Sequence, residues 1–287
     1  MIQVAGDRPT VAAFRPDSPV NGYPAMSKGT QPSANSLHSV CCELGGKLDK
    51  FLAEDAKSAT LRNVQARVRE AVGVVDEALE RYSPEEISLS YNGGKDCLVL
   101  LIILLACLSR RSTQSNGTND RPDAPPLPPK LQSIYIVSPH PFAEIDEFVE
   151  RSCAEYHLEN TRYELGMKQG LEKYLAERPN IKAIFVGTRR TDPHGEKLTH
   201  FDPTDAGWPD FMRIHPVIDW HYADIWAFIR HLDIPYCPLY DQGYTSLGGT
   251  EDTHPNPNLK QAEGSATGFL PAYVLVEDEE ERLGRDR

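Results

Sequence analysis

Residues 87–97 read ISLSYNGGKDC, and this stretch decides the fold that we predict. Its first five residues are typical of a short strand, and residues 95–109, apolar on most sides, predict a buried helix. Gly93 and Gly94 allow the backbone to turn tightly and to bring its amides close to a ligand. A helix that begins at such a turn presents free amides and the positive end of its dipole, so the stretch predicts an anion site.

Two charged side chains stand where this predicted helix begins. Lys95 adds a full positive charge, and Asp96 in the first helical turn could hold a metal ion or cap the helix. The spacing GxxxxGK[ST] of a Walker A loop is absent. From these residues alone, a glycine turn with Asp96 as a helix cap remains the alternative.

Strands and helices alternate along the rest of the chain. The periodicity predicts helices over 58–81, 142–157, 168–177 and 222–231, and strands over 132–137, 161–165, 181–186 and 213–217. Such alternation predicts a three-layer α/β fold, in which helices cover both faces of a mostly parallel, twisted sheet. Ligands bind beyond the carboxyl ends of such strands, which indicates loops 91–96, 138–142 and 187–213. Beyond Asp233 we expect a largely irregular C-terminal segment.

Composition predicts where the folded domain begins and where it is interrupted. Residues 1–40 are rich in Pro, Gly, Ser, Thr and Asn, and we expect a disordered tail there. The remainder, 41–287, is predicted to be a single domain with a proline-rich insertion at 111–130.

Charge and cysteine content exclude several classes of protein. The net charge is −12 and the pI is about 5.2, which disfavours nucleic-acid binding. There is no apolar run of 18 residues, so we expect no contact with a membrane. The six cysteines form no CxxC pair, and we expect reduced thiols in a cytoplasmic monomer.

Two further segments carry residues suited to a phosphorylated, aromatic ligand. Residues 187–193 read GTRRTDP, and paired arginines bind phosphate well through their guanidinium forks, although such a pair is often a solvated turn. Residues 204–213 read TDAGWPDFMR, whose aromatic side chains could equally be core residues beside a turn.

The three segments, in this order, resemble the motifs of the eukaryotic, fungal-type FAD synthases (FMN adenylyltransferases), which are related to PAPS reductases. Residues 244–249 (YTSLGG) and the ending with 271–273 (PAY) and 281–285 (ERLGR) are similar to further family segments. The resemblance covers roughly residues 60 to 287 and implies an adenine-nucleotide α-hydrolase-like, PAPS reductase-like fold. It also implies a nucleotidyltransferase that transfers AMP from ATP to the 5′-phosphate of FMN, giving FAD and pyrophosphate.

The resemblance also implies site residues. ATP is expected to contact Ser90, Tyr91, Asn92, Gly93, Gly94, Lys95, Asp96, Val137 and Gly187. FMN is expected to contact Arg189, Arg190, Asp192, Asp205, Trp208, Asp210, Phe211, Arg282 and Arg285. The catalytic groups would be Asn92, Lys95, Asp96, Arg189 and Arg285. Mg²⁺ would be held by Asn92 and Asp96, and product FAD is expected to be able to stay bound, as in a flavoprotein.

Three other functions are compatible with parts of the sequence. A PAPS reductase needs a cysteine near its C-terminus, whereas the last cysteine here is Cys237. An ATP-dependent tRNA-modifying enzyme is disfavoured by the acidic charge and the missing CxxC pair. A flavin or nucleotide sensor without catalysis would be expected to have a damaged ATP loop, and this loop is whole.

Overall fold

Six strands form the sheet at the centre of the fold. The structure is a computed structural model that describes residues 36–114, 127–261 and 268–286, excluding the side chains of 111–114. The strands are β1 (Ile87–Ser90), β2 (Leu131–Ile136), β3 (Leu158–Tyr163), β4 (Ala183–Phe185), β5 (Phe201–Pro203) and β6 (Met212–Ile214). The helices are α1 (Leu37–Ala53), α2 (Ala59–Arg81), α3 (Lys95–Gln114), α4 (Ala143–Glu155), α5 (Met167–Glu177) and α6 (Tyr222–His231).

The strand order is β3-β2-β1-β4-β6-β5, and neighbouring strands are parallel except that β5 runs antiparallel to β6. The register pairs Leu89 with Ser133 and Ile87 with Ala183. This arrangement confirms the predicted α/β fold with its mostly parallel sheet. The carboxyl ends of β1 and β4 therefore lie side by side at one edge.

Side chains that alternate along the strands build a hydrophobic layer on each face of the sheet. Leu131 and Tyr135 of β2 face the larger cluster, which includes α1, α2, α3, α4 and α6. Ile134 faces a smaller cluster with Leu171 and Tyr174 of α5. Because successive strand residues point to opposite faces, one strand supplies both layers.

Helix α3 is the most buried helix, since every residue from Leu98 to Leu108 is at most 1% exposed. The predicted helices over 58–81 and 222–231 are present, and Ser58 caps α2 by accepting a hydrogen bond from the Leu61 amide at 3.1 Å. Within the described residues, no helix combines the length and the apolar character needed to span a bilayer.

The differences from the predictions include three boundaries and one strand. Helix α1 begins at Leu37, so the expected tail cannot extend to residue 40; the rest of that prediction lies outside the described residues. Helix α3 continues to Gln114, which removes 111–114 from the expected insertion. Strand β3 begins three residues before the predicted 161–165 segment, and the short strand β5 was not predicted. Three residues are too few to show the alternating pattern of a strand.

The C-terminal segment is irregular, as predicted, apart from four short 3-10 helices. These helices are Pro238–Gln242, Pro257–Leu259, Ala272–Val274 and Asp278–Glu280. Within this segment Ala272 and Leu259 are buried in the larger cluster. The segment therefore packs onto the helices as part of the core.

Candidate active site

A cavity of about 300 Å³ lies at the carboxyl ends of β1 and β4. Four segments that are distant in sequence supply its walls: the loop after β1, the loop after β4, the turn around residue 246 and the C-terminal tail. The lining residues are Ser90, Asn92, Gly94, Lys95, Asp96, Cys97, Val186, Gly187, Thr188, Asp192, Pro193, Tyr240, Ser246, Leu247, Glu281 and Arg282. The cavity thus lies where a parallel sheet is expected to bind its ligand.

Glycines allow the two loops to approach each other closely. Gly93 has a φ of 75°, and a Cβ at this position would lie 2.8 Å from Cγ2 of Val149 in α4. At Gly187 a Cβ would lie 2.8 Å from the backbone nitrogen of Cys97. A side chain at Gly93 would clash with α4, and a side chain at Gly187 would push the loop after β4 away from the first turn of α3.

The first turn of α3 forms one wall of the cavity. The backbone amide of Lys95 donates to the hydroxyl of Tyr240 at 2.9 Å, and the amide of Gly94 donates to Oδ1 of Asn92 at 3.0 Å. The N-terminus of this 20-residue helix contributes a positive partial charge at the place where the sequence predicts an anion.

At this wall lie four charged side chains, which we call the charge quartet: Lys95, Asp96 and Glu281, which line the cavity, and Arg189 behind them. Lys95 is 2% exposed and Arg189 is fully buried. Nζ of Lys95 lies 3.1 Å from Oδ2 of Asp96, and Nε of Arg189 lies 2.8 Å from Oδ1 of the same carboxylate. The carboxylate of Glu281 contacts both cations. Two positive and two negative charges thus compensate one another, and of the four side chains Asp96 is the most exposed, at 21%.

The pKa values of Lys95 and Asp96 favour their charged forms. Burial alone would lower the pKa of Lys95, but the carboxylates of Asp96 and Glu281 outweigh burial and raise it. Burial would likewise raise the pKa of Asp96, but Arg189 and Lys95 hold it below its ordinary value. Lys95 and Asp96 are therefore both ionised at neutral pH.

Hydrogen bonds fix the tail that carries Glu281. The hydroxyl of Thr245 donates to the backbone carbonyl of Glu281 at 2.6 Å. The side-chain amide of Asn256 donates to the Thr245 hydroxyl at 2.9 Å and to the carbonyl of Glu280 at 2.7 Å. Asp278 accepts from the backbone amide of Tyr222 at 2.7 Å, which ties the tail to the start of α6.

About half of the residues that the sequence predicts for the site line the cavity. Those that line it are Ser90, Asn92, Gly94, Lys95, Asp96, Gly187, Asp192 and Arg282. Asp192 accepts from the backbone amide of Arg189 at 2.8 Å, and burial raises the pKa of its carboxyl group. Arg282 is exposed at the rim, and Gly93 shapes the loop from behind.

Three predicted contact residues have side chains that belong to the hydrophobic core, so their contacts with a ligand stay a prediction. Tyr91 is fully buried, and its hydroxyl donates to Oγ of Ser152 in α4 at 2.8 Å. Val137 is 7% exposed within the larger cluster. Phe211 belongs to the smaller cluster beneath α5. In each case the apolar ring or branch gains more from burial than from facing a polar cavity.

The predicted arginines have separate surroundings. Arg189 lies in the quartet and does not line the cavity, whereas Nε of Arg190 donates to Asp219 at 2.6 Å on the other side of the loop. Arg285 donates to Asp252 at 2.7 Å and packs against Gly248. The structure therefore gives Arg190 and Arg285 carboxylate partners, outside the cavity wall.

The aromatic segment 204–211 joins β5 to β6. Since β6 is parallel to β4, this loop lies at the amino edge of the sheet, whereas the cavity lies at the carboxyl edge. Trp208 is 42% exposed, and Asp205 and Asp210 are exposed as well. None of these three lines the cavity, although three-residue strands separate the two edges by only about 10 Å.

Sequence reasoning missed Glu281, Tyr240 and Thr245. Glu281 lies in the acidic run 277–281, and such a run is usually solvated, but Glu281 is 5% exposed. The one available signal was its position at the start of the ERLGR segment. Cys97, expected to be structural, is buried, and burial raises the pKa of its thiol to about 12, so it is a poor nucleophile at neutral pH.

Comparison with known proteins relates this site to a family. The phosphoadenosine phosphosulfate reductase domain family matches residues 162–255. A protein of Schizosaccharomyces pombe named "Probable FAD synthase" is 38% identical over 242 residues, which cover 83% of this chain and 86% of that protein.

Solved structures give the same relationship. Candida glabrata FMN adenylyltransferase in complex with FAD and inorganic pyrophosphate has a TM-score of 0.80 at 30% identity, over 87% of this chain and 99% of that chain. The same enzyme in complex with FMN and the ATP analogue AMPCPP has a TM-score of 0.79 at 30% identity, over 88% of this chain and 98% of that chain.

The sheet, its cavity and these matches define a nucleotidyltransferase with a PAPS reductase-like fold. Within that class, the chain belongs to the family of FAD synthases, the FMN adenylyltransferases.

Proposed function

We infer that this chain transfers AMP from ATP to the 5′-phosphate of FMN, giving FAD and pyrophosphate. The observation that carries this inference is the cavity at the first turn of α3, lined by the ATP loop, the loop after β4 and the tail. The two complexes of the Candida glabrata enzyme are named for both sides of this reaction, FMN with an ATP analogue and FAD with pyrophosphate.

The reaction makes modest demands on acid–base chemistry. The FMN phosphate is largely dianionic at neutral pH, because the second pKa of a phosphomonoester is about 6. One of its oxygens attacks the α-phosphorus of ATP, and the bond from that phosphorus to the oxygen of the leaving pyrophosphate breaks. The enzyme must therefore align two polyanions and offset their repulsion.

We propose that the ATP phosphates contact the end of β1 and its loop at Ser90 and Gly94, the loop after β4 at Gly187, and the first turn of α3. The helix terminus and the charge of Lys95 would stabilise the departing pyrophosphate. Lys95 acts here as a charge, because its three N–H donors already face three acceptors. Arg282, which is exposed at the rim of the cavity, can contact a phosphate directly. Asp192 also lines the cavity.

Magnesium is compatible with this wall. The carboxylates of Asp96 and Asp192 both line the cavity, and carboxylate oxygens are the ligands that Mg²⁺ prefers. The two predicted ligands already have partners: Oδ1 of Asn92 accepts from the Gly94 amide and the Cys97 thiol, and the oxygens of Asp96 contact Lys95 and Arg189. When bound, the ion would neutralise charge on the phosphate oxygens.

Incubation of the purified chain with FMN, ATP and magnesium, followed by chromatography, tests the proposal. We expect FAD and pyrophosphate in equal amounts, and no product after chelation of magnesium.

Asp96→Asn should lower kcat by about 100-fold or more, since it removes a cavity carboxylate and unbalances the quartet. The exposed Asp55→Asn serves as the matched control. Binding of FMN without turnover by the unmodified chain would instead support a flavin sensor.

We further propose that the protein acts as a cytoplasmic monomer and can retain its product FAD. Its six cysteines are all free thiols, which suits a reducing compartment. Light scattering during size-exclusion chromatography would test the oligomeric state, and the absorbance of the purified protein near the flavin bands would test FAD retention.

A further inference from the structure

Glu281 is the one member of the charge quartet supplied by the C-terminal tail. Its side chain is 6% exposed, and its two carboxylate oxygens contact different cations: Oε1 faces Nζ of Lys95, and Oε2 faces a terminal nitrogen of Arg189. Lys95 belongs to the ATP loop and Arg189 to the loop after β4. A single carboxylate therefore joins both loops of the cavity to the tail.

The orientation of Lys95 depends on Glu281. An ammonium group has three N–H donors, and here they face Oδ2 of Asp96 at 3.1 Å, the carbonyl of Thr245 at 3.3 Å and Glu281. Removal of the Glu281 carboxylate would leave one donor without its acceptor. The ammonium would then be free to rotate away from the geometry that it has beside the cavity.

Arg189 depends on the same carboxylate. Its Nε contacts Asp96 at 2.8 Å, its Nη1 contacts Asp278 at 3.4 Å, and its Nη2 contacts Glu281. Without Glu281, Lys95 would retain the Asp96 carboxylate, whereas Arg189 would retain Asp96, Asp192 and Asp278, so the contacts around Asp96 would no longer be balanced. Since Asp96 lines the cavity, a shift of its carboxylate would alter the wall that faces the phosphates.

The backbone of the tail holds Glu281 firmly enough for this role. Its carbonyl accepts from the buried hydroxyl of Thr245 at 2.6 Å, and Asn256 secures both Thr245 and the preceding carbonyl. Thr245, Asn256 and Glu281 are at most 5% exposed. Buried ion pairs are weak sources of net stability, so this arrangement is better explained by the geometry that it imposes.

We propose that Glu281 is a positioning residue for adenylyl transfer, which holds Lys95, Arg189 and through them Asp96 in the geometry that the reaction requires. The inference rests on the proposed function. In this role Glu281 acts through Lys95 and Arg189, which its carboxylate contacts. Its loss should therefore lower kcat much more than it changes the KM of either substrate.

The test compares Glu281→Gln and Glu281→Asp with the control Glu279→Gln, which changes an exposed glutamate two residues away. In the full chain, kcat and both KM values are measured by FAD formation, and thermal unfolding is followed in parallel. For Glu281→Gln we expect kcat about 100-fold lower, with each KM within about threefold of the unmodified chain. Glu279→Gln should behave like the unmodified chain.

Glu281→Asp provides the rescue. This variant keeps the negative charge, but its side chain is one methylene shorter and cannot contact Lys95 and Arg189 equally well. We therefore expect its kcat to be about tenfold lower than that of the unmodified chain. If Glu281→Gln fails to fold, the role of Glu281 is tested with Glu281→Asp, whose kcat should fall much more than its KM values change.

Two results would overturn the role of Glu281: a kcat for Glu281→Gln close to normal, or a loss confined to KM. If Glu281→Gln does not fold, a normal kcat for Glu281→Asp would do the same. Absence of FAD from the unmodified chain would refute the proposed function and this inference together. FAD formed equally by the unmodified chain and Glu281→Gln would refute the inference alone.

Discussion

Arg189 and Arg190 are adjacent, yet their environments are opposite. The guanidinium of Arg189 is fully buried among Asp96, Asp192, Asp278 and Glu281, whereas the side chain of Arg190 is 42% exposed and pairs with Asp219. The resemblance implies an FMN contact for both arginines and a catalytic role for Arg189. Their surroundings separate them, since only Arg189 belongs to the quartet.

Trp208 offers a direct test of the flavin contact that the family resemblance implies. Trp208→Ala should raise the KM for FMN by about tenfold and leave the KM for ATP unchanged, because an indole face stabilises an aromatic ring by packing. Leu165→Ala, at a similarly exposed apolar residue, is the control. An unchanged KM for FMN would make Trp208 an ordinary surface residue.

His215 predicts a pH dependence of stability. It is 1% exposed, and burial lowers its pKa from 6.5 to about 4, although Asp202 lies 4.0 Å away. The unfolded chain therefore binds a proton at this histidine more readily than the folded chain does. The stability that depends on a neutral His215 is present above pH 6.5 and is lost as the pH falls towards 4. From about pH 7 to about pH 5 we expect it to remove about 2 kcal/mol of unfolding free energy.

Denaturant unfolding at several pH values checks this expectation. Between about pH 7 and about pH 5, His215→Leu should lose about 2 kcal/mol less unfolding free energy than the unmodified chain, since the leucine cannot bind a proton. His140→Leu, at an exposed histidine, should retain the slope of the unmodified chain. Equal slopes for the chain and His215→Leu would show that His215 is not responsible.

At the scale of elements, α3 organises the molecule because other helices pack around it while its first turn faces the cavity. Helix α1 crosses it at Gly45, where a Cβ would lie 2.3 Å from Oγ of Ser109. Gly45 and Gly46 lower the helix propensity of this segment, which explains why α1 was not predicted. The glycine that weakens the local signal is the residue that permits the close crossing.

Leu48 tests the contribution of α1. It is fully buried against the core, so Leu48→Ala should lower the free energy of unfolding by about 3 kcal/mol. Glu43→Ala, on the exposed side of the same helix, should change it by about 0.5 kcal/mol or less. Urea denaturation of both variants measures the difference. A small effect at Leu48 would mean that α1 is loosely attached.

At the scale of the whole molecule, the tail completes a site that the sheet begins. The strands place two loops side by side, but the wall and the charge balance require Glu281 from the last turn of the chain. Residues Ser33–Arg287 form one compact unit. The shortest unit that folds and acts should therefore retain everything from α1 to the tail.

Two truncations test this requirement. Deletion of residues 1–35 should leave thermal unfolding and FAD formation unchanged, since α1 and its cap Ser36 are retained. Deletion of residues 1–44 removes Leu37, Val40 and Leu44 from the core and should lower the Tm by about 5 °C or more. If both deletions behave alike, the N-terminal boundary of the folded unit lies elsewhere.

The sequence by itself determined the alternation of strands and helices, the glycine turn before α3 and the loops that meet at the cavity. These features depend on local periodicity and on short-range turn chemistry, which neighbouring residues encode. The tertiary structure alone decided that Tyr91, Val137 and Phe211 are core residues and that Glu281 belongs to the site. Lys95 and Glu281 are 186 residues apart, and their pairing follows from the path of the tail across the sheet edge. Such contacts depend on how elements pack, and no local pattern in the sequence specifies them.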